Sequence, residues 1–189
     1  MDIIIIGRIA EDGILELIRE RLENTDVLRG SIPGNDAQAD PGPEEKSGTT
    51  VFSRYSKRYF SEGVAGLSAE FADEKCMKIL DSHGADVFVV GRQGIFSALY
   101  KLGNTCGWGL RVELREIPVR QFCIEIADLL DVNPYTLSSL GCILACAHDG
   151  AALAAELENA GYPAKIIGYT TDDKACCAVN GEVTTYLEP

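Results

Sequence analysis

The chain is expected to fold as an α/β (α+β) domain, a mixed sheet layered with helices. Three observations carry this. Apolar residues come in short runs of strand length, such as Ile3 to Ile6 and Val87 to Val90. Between them lie stripes at i, i+3/i+4 and i+7, the spacing of one helix face. The order reads β-α, then α-β-α-β-α, then β-α-β-β-β, so interleaved helices cover a sheet that is part parallel and part antiparallel.

Each element has its own signal. Ile3-Ile4-Ile5-Ile6 is a β-branched run of the kind buried on both faces of a sheet. Gly7 to Gly13 makes a turn, and Ile14, Leu15, Leu17, Ile18 and Leu22 mark a helix over roughly 12–23. The stretch GSIPGNDAQADPGPEEKSGTT, 30–50, has too little apolar surface to offset the entropy of ordering and reads as a mobile loop. FSRYSKRYF, 52–60, is a basic, aromatic island, read as an edge strand or a helix with a solvated face. Phe71, Cys76, Ile79 and Leu80 predict a helix ending near His83-Gly84, and ADVFVV, 85–90, a buried strand. Ile95, Ala98, Leu99, Leu102 and Cys106 give the next helical stripe, closed by Gly107 and Gly109, after which LRVEL alternates as a strand.

Pro118 opens a helix with Phe122, Ile126, Leu129 and Leu130 inward, because proline is well tolerated in a first turn. NPYTLSSLG is a short helix, CILACA a strand, AALAAELENAG a helix stopped by Gly161, and AKIIGYTT a strand. CCAVNGEVTTYL is a hairpin, with Asn180-Gly181 expected to supply the positive φ of a type I′ turn. The whole of 1–189 is expected to form one domain.

Composition narrows the function. With 46% apolar residues the chain can build a sizeable core, but no run nears the ~20 residues needed to cross a bilayer. No basic segment precedes the first run, so MDIIIIG reads as a strand rather than a secretion signal. Binding duplex nucleic acid relies on neutralising phosphates with Lys and Arg, and a net charge of −12 argues against that and against anionic membranes. It leaves room for a small phosphorylated ligand held by local donors. The seven cysteines, odd in number and without a leader, suit free thiols in a reducing cytoplasm.

Cys142 and Cys146, with Leu144 between them, point to one face of a strand, and Cys176-Cys177 to opposite faces. They are read as core thiols rather than zinc ligands: no CxxC occurs, and the histidines are His83 and His148 alone. His148 stands two residues from Cys146 with nothing in the sequence to orient it as a base. Asp149, Asp172 and Asp173 read as solvated loop carboxylates. No catalytic residue, no metal site and no resident cofactor is therefore expected.

One turn remains. In VVGRQGIFSAL, 89–99, a strand passes through two glycines into an amphipathic helix. The helix start favours an anion, Arg92 adds a guanidinium suited to phosphate, and Gly91 and Gly94 permit close backbone approach. Gly91, Arg92, Gln93 and Gly94 are thus the candidate anion site. The same glycines also suit a plain tight strand-to-helix turn, and the sequence leaves both readings open.

Taken in linear order, GIFSALYKLGNTCGWGLRVELREIPVRQ, DLLDVNPYTLSSLGCILA, AGYPAKIIGYTT and NGEVTTYLEP resemble the C-terminal domain of the AIR synthase (PurM) superfamily, in particular its AIR synthase-related and HypE-like hydrogenase maturation members. The resemblance covers roughly 85–189, and DIIIIGRIAEDG is similar to the turn that opens that domain. It implies the fold of that domain. It also implies descent from enzymes that activate an amide-type oxygen with ATP, most of the ATP and magnesium site lying on a separate N-terminal domain that has no counterpart here. ATP and magnesium are accordingly expected only with a partner domain. Where the family carries a histidine, an aspartate and paired glycines in its glycine-rich loop, this sequence has Phe88, Val89 and Gln93-Gly94. Trp108 stands in a Gly-Val-Gly position of the family, where its ring is expected to cover the helix end or touch a partner. The resemblance therefore implies a catalytically degenerate lobe in the cytoplasm, not catalytic alone. Its alternatives are an enzyme half completed in trans by an ATP-binding chain, and a self-associating homodimer.

Overall fold

A computed structural model of the chain describes residues 1–30, 51–67 and 73–188. The expected mobile segment 30–50 lies outside these apart from Gly30, and Phe71 lies outside them too. In chain order the elements are β1 (Asp2–Ile6), α1 (Glu11–Gly30), α2 (Lys57–Ala65), α3 (Glu74–Ser82), β2 (Asp86–Val89), α4 (Gly94–Cys106), β3 (Gly109–Glu113), α5 (Gln121–Leu129), β4 (Ile143–Ala147), α6 (Gly150–Ala160), β5 (Ala164–Thr171), β6 (Cys176–Asn180) and β7 (Val183–Tyr186). Short 3₁₀ turns occupy Val51–Arg54, Leu114–Glu116 and Pro134–Thr136.

The strands form one sheet in the order β2-β4-β1-β5-β3-β6-β7. Only β3 and β6 run parallel; the other neighbours are antiparallel. The four isoleucines of β1 sit inside the sheet between β4 and β5, each at most 5% exposed, because a strand flanked on both edges and covered on both faces must be apolar at every position. Ile3 and Ile5 face a core built with Ile14 and Ile18 of α1, Leu99 of α4 and Ile126 of α5. Ile4 and Ile6 face the other way, toward Leu80 of α3 and Leu153 and Leu157 of α6. Each such fully buried aliphatic side chain contributes about 1.5–3 kcal/mol. Cys142, Leu144 and Cys146 share the first core, as alternation predicts.

Several expectations are corrected. The first helix starts at Glu11, inside the expected turn, and runs to Gly30, with Leu22 41% exposed rather than inward. The strand expected to be buried, 85–90, is the short edge strand β2, and Val89 is 68% exposed, because β4 pairs with one side of it and no strand among the described residues pairs with the other. The island 52–60 becomes a 3₁₀ turn and α2, whose rings Phe60 and Tyr59 meet Phe122 of α5 edge-on, 5.9 Å between centroids in each case. The helix expected to open at Pro118 begins at Gln121, and the Pro118 carbonyl instead accepts from the Ile9 amide. In the hairpin only Gly181 has positive φ, 63°, and Asn180 still pairs with Val183, so the loop is Gly181-Glu182, with the φ signs of a type II′ turn.

Ile6 and Val89 both pair with Ile143, the first residue of β4. The chain therefore leaves β1 and β2 at the same end of the sheet, on either side of the start of β4. This places the openings of α1 and α4 next to each other.

Candidate functional site

At the end of β2 the backbone turns through Gly91, Arg92 and Gln93 into α4. The Gly94 amide donates to the Gly91 carbonyl at 3.2 Å, which closes the turn. Gly94 has φ +75°, a conformation that costs an L side chain roughly 1–2 kcal/mol. A Cβ there would stand 2.5 Å from the Tyr135 carbonyl oxygen and 2.6 Å from the Thr136 carbonyl carbon. Glycine is thus demanded at 94 by the backbone of the 3₁₀ turn Pro134–Thr136, which packs against the helix start, and that face is not open to a ligand. Gly91 is the opposite case: a Cβ there would meet nothing within 4 Å. Of the two glycines expected to admit an anion, one is required for packing and the other borders open space.

That space is a cavity of about 360 Å³ walled by Phe88, Arg92, Gln93, Gly94, Ser97 and Lys101 among others. The Gln93 side chain does not cap the helix. Its Oε1 accepts from the Ser97 hydroxyl at 3.1 Å and from the Lys101 ammonium, so a ladder one helical turn per step draws the Lys101 charge along α4 toward the turn. Arg92 is exposed beside it. The lining holds two cations and no carboxylate. A divalent metal finds no anionic ligand in this cavity, and Phe88 and Val89 offer none. A phosphate, by contrast, would meet charge and hydroxyl donors.

A second polar centre escaped the sequence reading. Glu11 is 4% exposed, and its carboxylate pairs with the Arg120 guanidinium. Asp12 accepts from the Ser138 hydroxyl and, at 3.0 Å, from the Leu140 amide. Ser139, 1% exposed, joins the two turns. Its Oγ accepts from the Ala10 amide at 2.9 Å, while its own amide donates to the Gly91 carbonyl at 3.3 Å. Ala10 is held at φ +66° in that arrangement. The signal for this centre was the Glu11-Asp12 pair at a helix start together with the hydroxyl pair Ser138-Ser139. Neither half points to the other across more than a hundred residues of chain.

The remaining candidates are occupied by structure. Burial pushes the Cys123, Cys142 and Cys146 thiols up to about 12, so they are poor nucleophiles. His148 is exposed while Cys146 is 1% exposed. Asp149 caps α6 by accepting from the Ala152 amide at 3.0 Å, and Asp173 accepts from the Thr171 hydroxyl at 2.7 Å. Trp108 is half-buried past the left-handed Gly107, and its amide closes the end of α4 on the Gly103 carbonyl. Among the described residues no three His, Cys, Asp or Glu side chains are grouped to hold a metal ion, and no helix is long and apolar enough to cross a membrane.

No protein-family profile matches the chain, and no curated protein matches it. Solved structures do. The hydrogenase maturation protein HypE in complex with ATP superposes with a TM-score of 0.68 at 15% identity, over 99% of this chain and 50% of that one. HypE from E. coli gives 0.68 at 15% identity, over 99% of this chain and 49% of that one. HypE in its complex with HypF gives 0.61 at 14% identity, over 99% and 52%. The chain has the mixed-sheet fold read from its sequence resemblance, and it spans about half the length of the solved chains it matches.

Proposed function

We propose that the chain is a catalytically degenerate lobe of the AIR synthase-related type with a binding or regulatory role, and that its ligand is a phosphate-bearing small molecule at the turn Gly91-Arg92-Gln93-Gly94. The observation that carries this reading is the cavity at the start of α4, with Arg92 and Lys101 on its walls and no carboxylate among them. Phe88 and Val89, where the resembling enzymes carry a histidine and an aspartate, can neither move a proton nor hold magnesium. The lobe binds without turning over. A ligand selective for the folded state raises the melting temperature by mass action. In a thermal-shift series with phosphate, AMP, ADP and ATP, with and without magnesium, phosphate-bearing compounds shift the native chain, and Arg92→Gln with Lys101→Gln abolishes the shift. A native chain indifferent to the whole series, or a shift that survives both substitutions, refutes the site. ATP turnover by the pure protein refutes the degenerate role.

A second reading has its own support. The chain spans about half of the solved HypE chains, and β2, the strand leading into the cavity, is a sheet edge unpaired among the described residues, with Val89 68% exposed. An ATP-binding partner chain could complete the lobe there as an enzyme half. Co-purification with such a chain, and ATP turnover by the pair but by neither alone, is the expected result; a native chain that captures no ATP-binding partner counts against it.

A further inference from the structure

Among the described residues the two faces of the sheet are not equally covered. The first core takes residues from β3 and β6, including Leu110, Val112, Cys176 and Ala178. The second core stops at β5: it contains residues of β2, β4, β1 and β5 and none of β3, β6 or β7. Directly paired residues in a sheet carry their side chains on one face. Tyr169, Arg111, Cys177 and Tyr186 are paired in that order across β5, β3, β6 and β7, so they form one row on the second face. Tyr169 is 48% and Tyr186 68% exposed. Glu113 lies two residues along β3 from Arg111, on the same face and about 7 Å away. Neither Arg111 nor Glu113 has an ion-pair or side-chain hydrogen-bond partner among the described residues.

We infer that this face, left without a covering helix among the described residues and bearing the Tyr169–Arg111–Cys177–Tyr186 row and Glu113, is where a second copy of the chain docks, sheet against sheet. The charge pattern names that occupant. An arginine and a glutamate two residues apart on one strand are self-complementary: a two-fold axis crossing β3 at the level of Val112 sets Arg111 of each copy over Glu113 of the other. Aligned sheet packing supplies the geometry, and exposed tyrosines are the side chains that anchor interfaces. The inference is independent of the ligand proposed above, which lies at the β2 edge of the same sheet, across β4, β1 and β5 from β3.

The native full chain is expected to sediment as a dimer at micromolar concentration. Arg111→Glu and Glu113→Arg each place like charges opposite one another, and each is expected to weaken the dimer by about tenfold or more. Mixed in equal amounts, the two variants regain a dimer close to native affinity, because the mixed pair restores both attractions. Circular dichroism melts show each variant folded, since both positions lie on the surface of the sheet. A native chain that stays monomeric at tens of micromolar overturns the inference. So does a dimer unaffected by either single substitution, which would use another face, or a pair of variants that fails to reassociate on mixing.

Discussion

Replacing Gly94 by alanine tests the structural role of the turn with a calculable cost. The φ of +75° sets the first contribution, roughly 1–2 kcal/mol for a non-glycine residue. The second is steric. The new Cβ would approach the Tyr135 oxygen to 2.5 Å and the Thr136 Cα to 2.8 Å, and both are backbone atoms that cannot rotate aside. Overpacking of this kind costs about 1–3 kcal/mol. Together they give roughly 2–5 kcal/mol, which for a chain of this size lowers Tm by about 4–20 °C. The control is Gly91→Ala, whose Cβ meets nothing within 4 Å and whose φ is not positive. Its stability should hold or rise by up to about 1 kcal/mol, from the reduced freedom of the unfolded chain. The assay is paired thermal and urea unfolding of both variants. A Gly94→Ala protein melting within a degree of the native chain refutes the reasoning, as does a Gly91→Ala protein equally damaged.

Arg120→Ala removes the guanidinium that pairs with the Glu11 carboxylate, a group only 4% exposed. It should cost about 3 kcal/mol in urea unfolding, whereas Glu11→Gln costs less because Arg120, 34% exposed, can hydrate. The buried thiols make the fold sensitive to alkali. Cys123, Cys142 and Cys146 are raised from 9.0 to about 12 in the native state, so their contribution is complete below pH 9 and is lost as pH rises toward 12. Each thiol can contribute a slope of up to about 1.4 kcal/mol per pH unit in that window, and urea midpoints at pH 8, 9 and 10 measure it; a flat series contradicts the burial. Under a thiol reagent at pH 8, half-buried Cys106 reacts before these three, which react only on unfolding, and peptide mapping of the labelled chain reads this directly. Leu153→Ala, at 0% exposure between α6 and the sheet, should cost about 2–5 kcal/mol, and a loss under 1 kcal/mol would mean that α6 is not packed there.

Sequence by itself determined the alternation of strands and helices and the burial of β1, because period and β-branching are local properties that the backbone reads directly. It also determined that Cys142, Leu144 and Cys146 share a face, and it located the turn at 91–94. What it could not decide was anything set by distant chain. Whether 86–89 lay inside the sheet or at its edge depended on which strands flank it, and an apolar run looks the same in either place. Why residue 94 must be glycine depended on the backbone of Tyr135 and Thr136, far along the chain. The Ser139 bridge between the two turns likewise exists only because β1 and β2 end together beside the start of β4, and Glu11 meets Arg120 only because Ile9 pairs with Val119. Local preference writes the elements, and loop closure over long separations, rewarded only when the core forms, decides which polar groups meet.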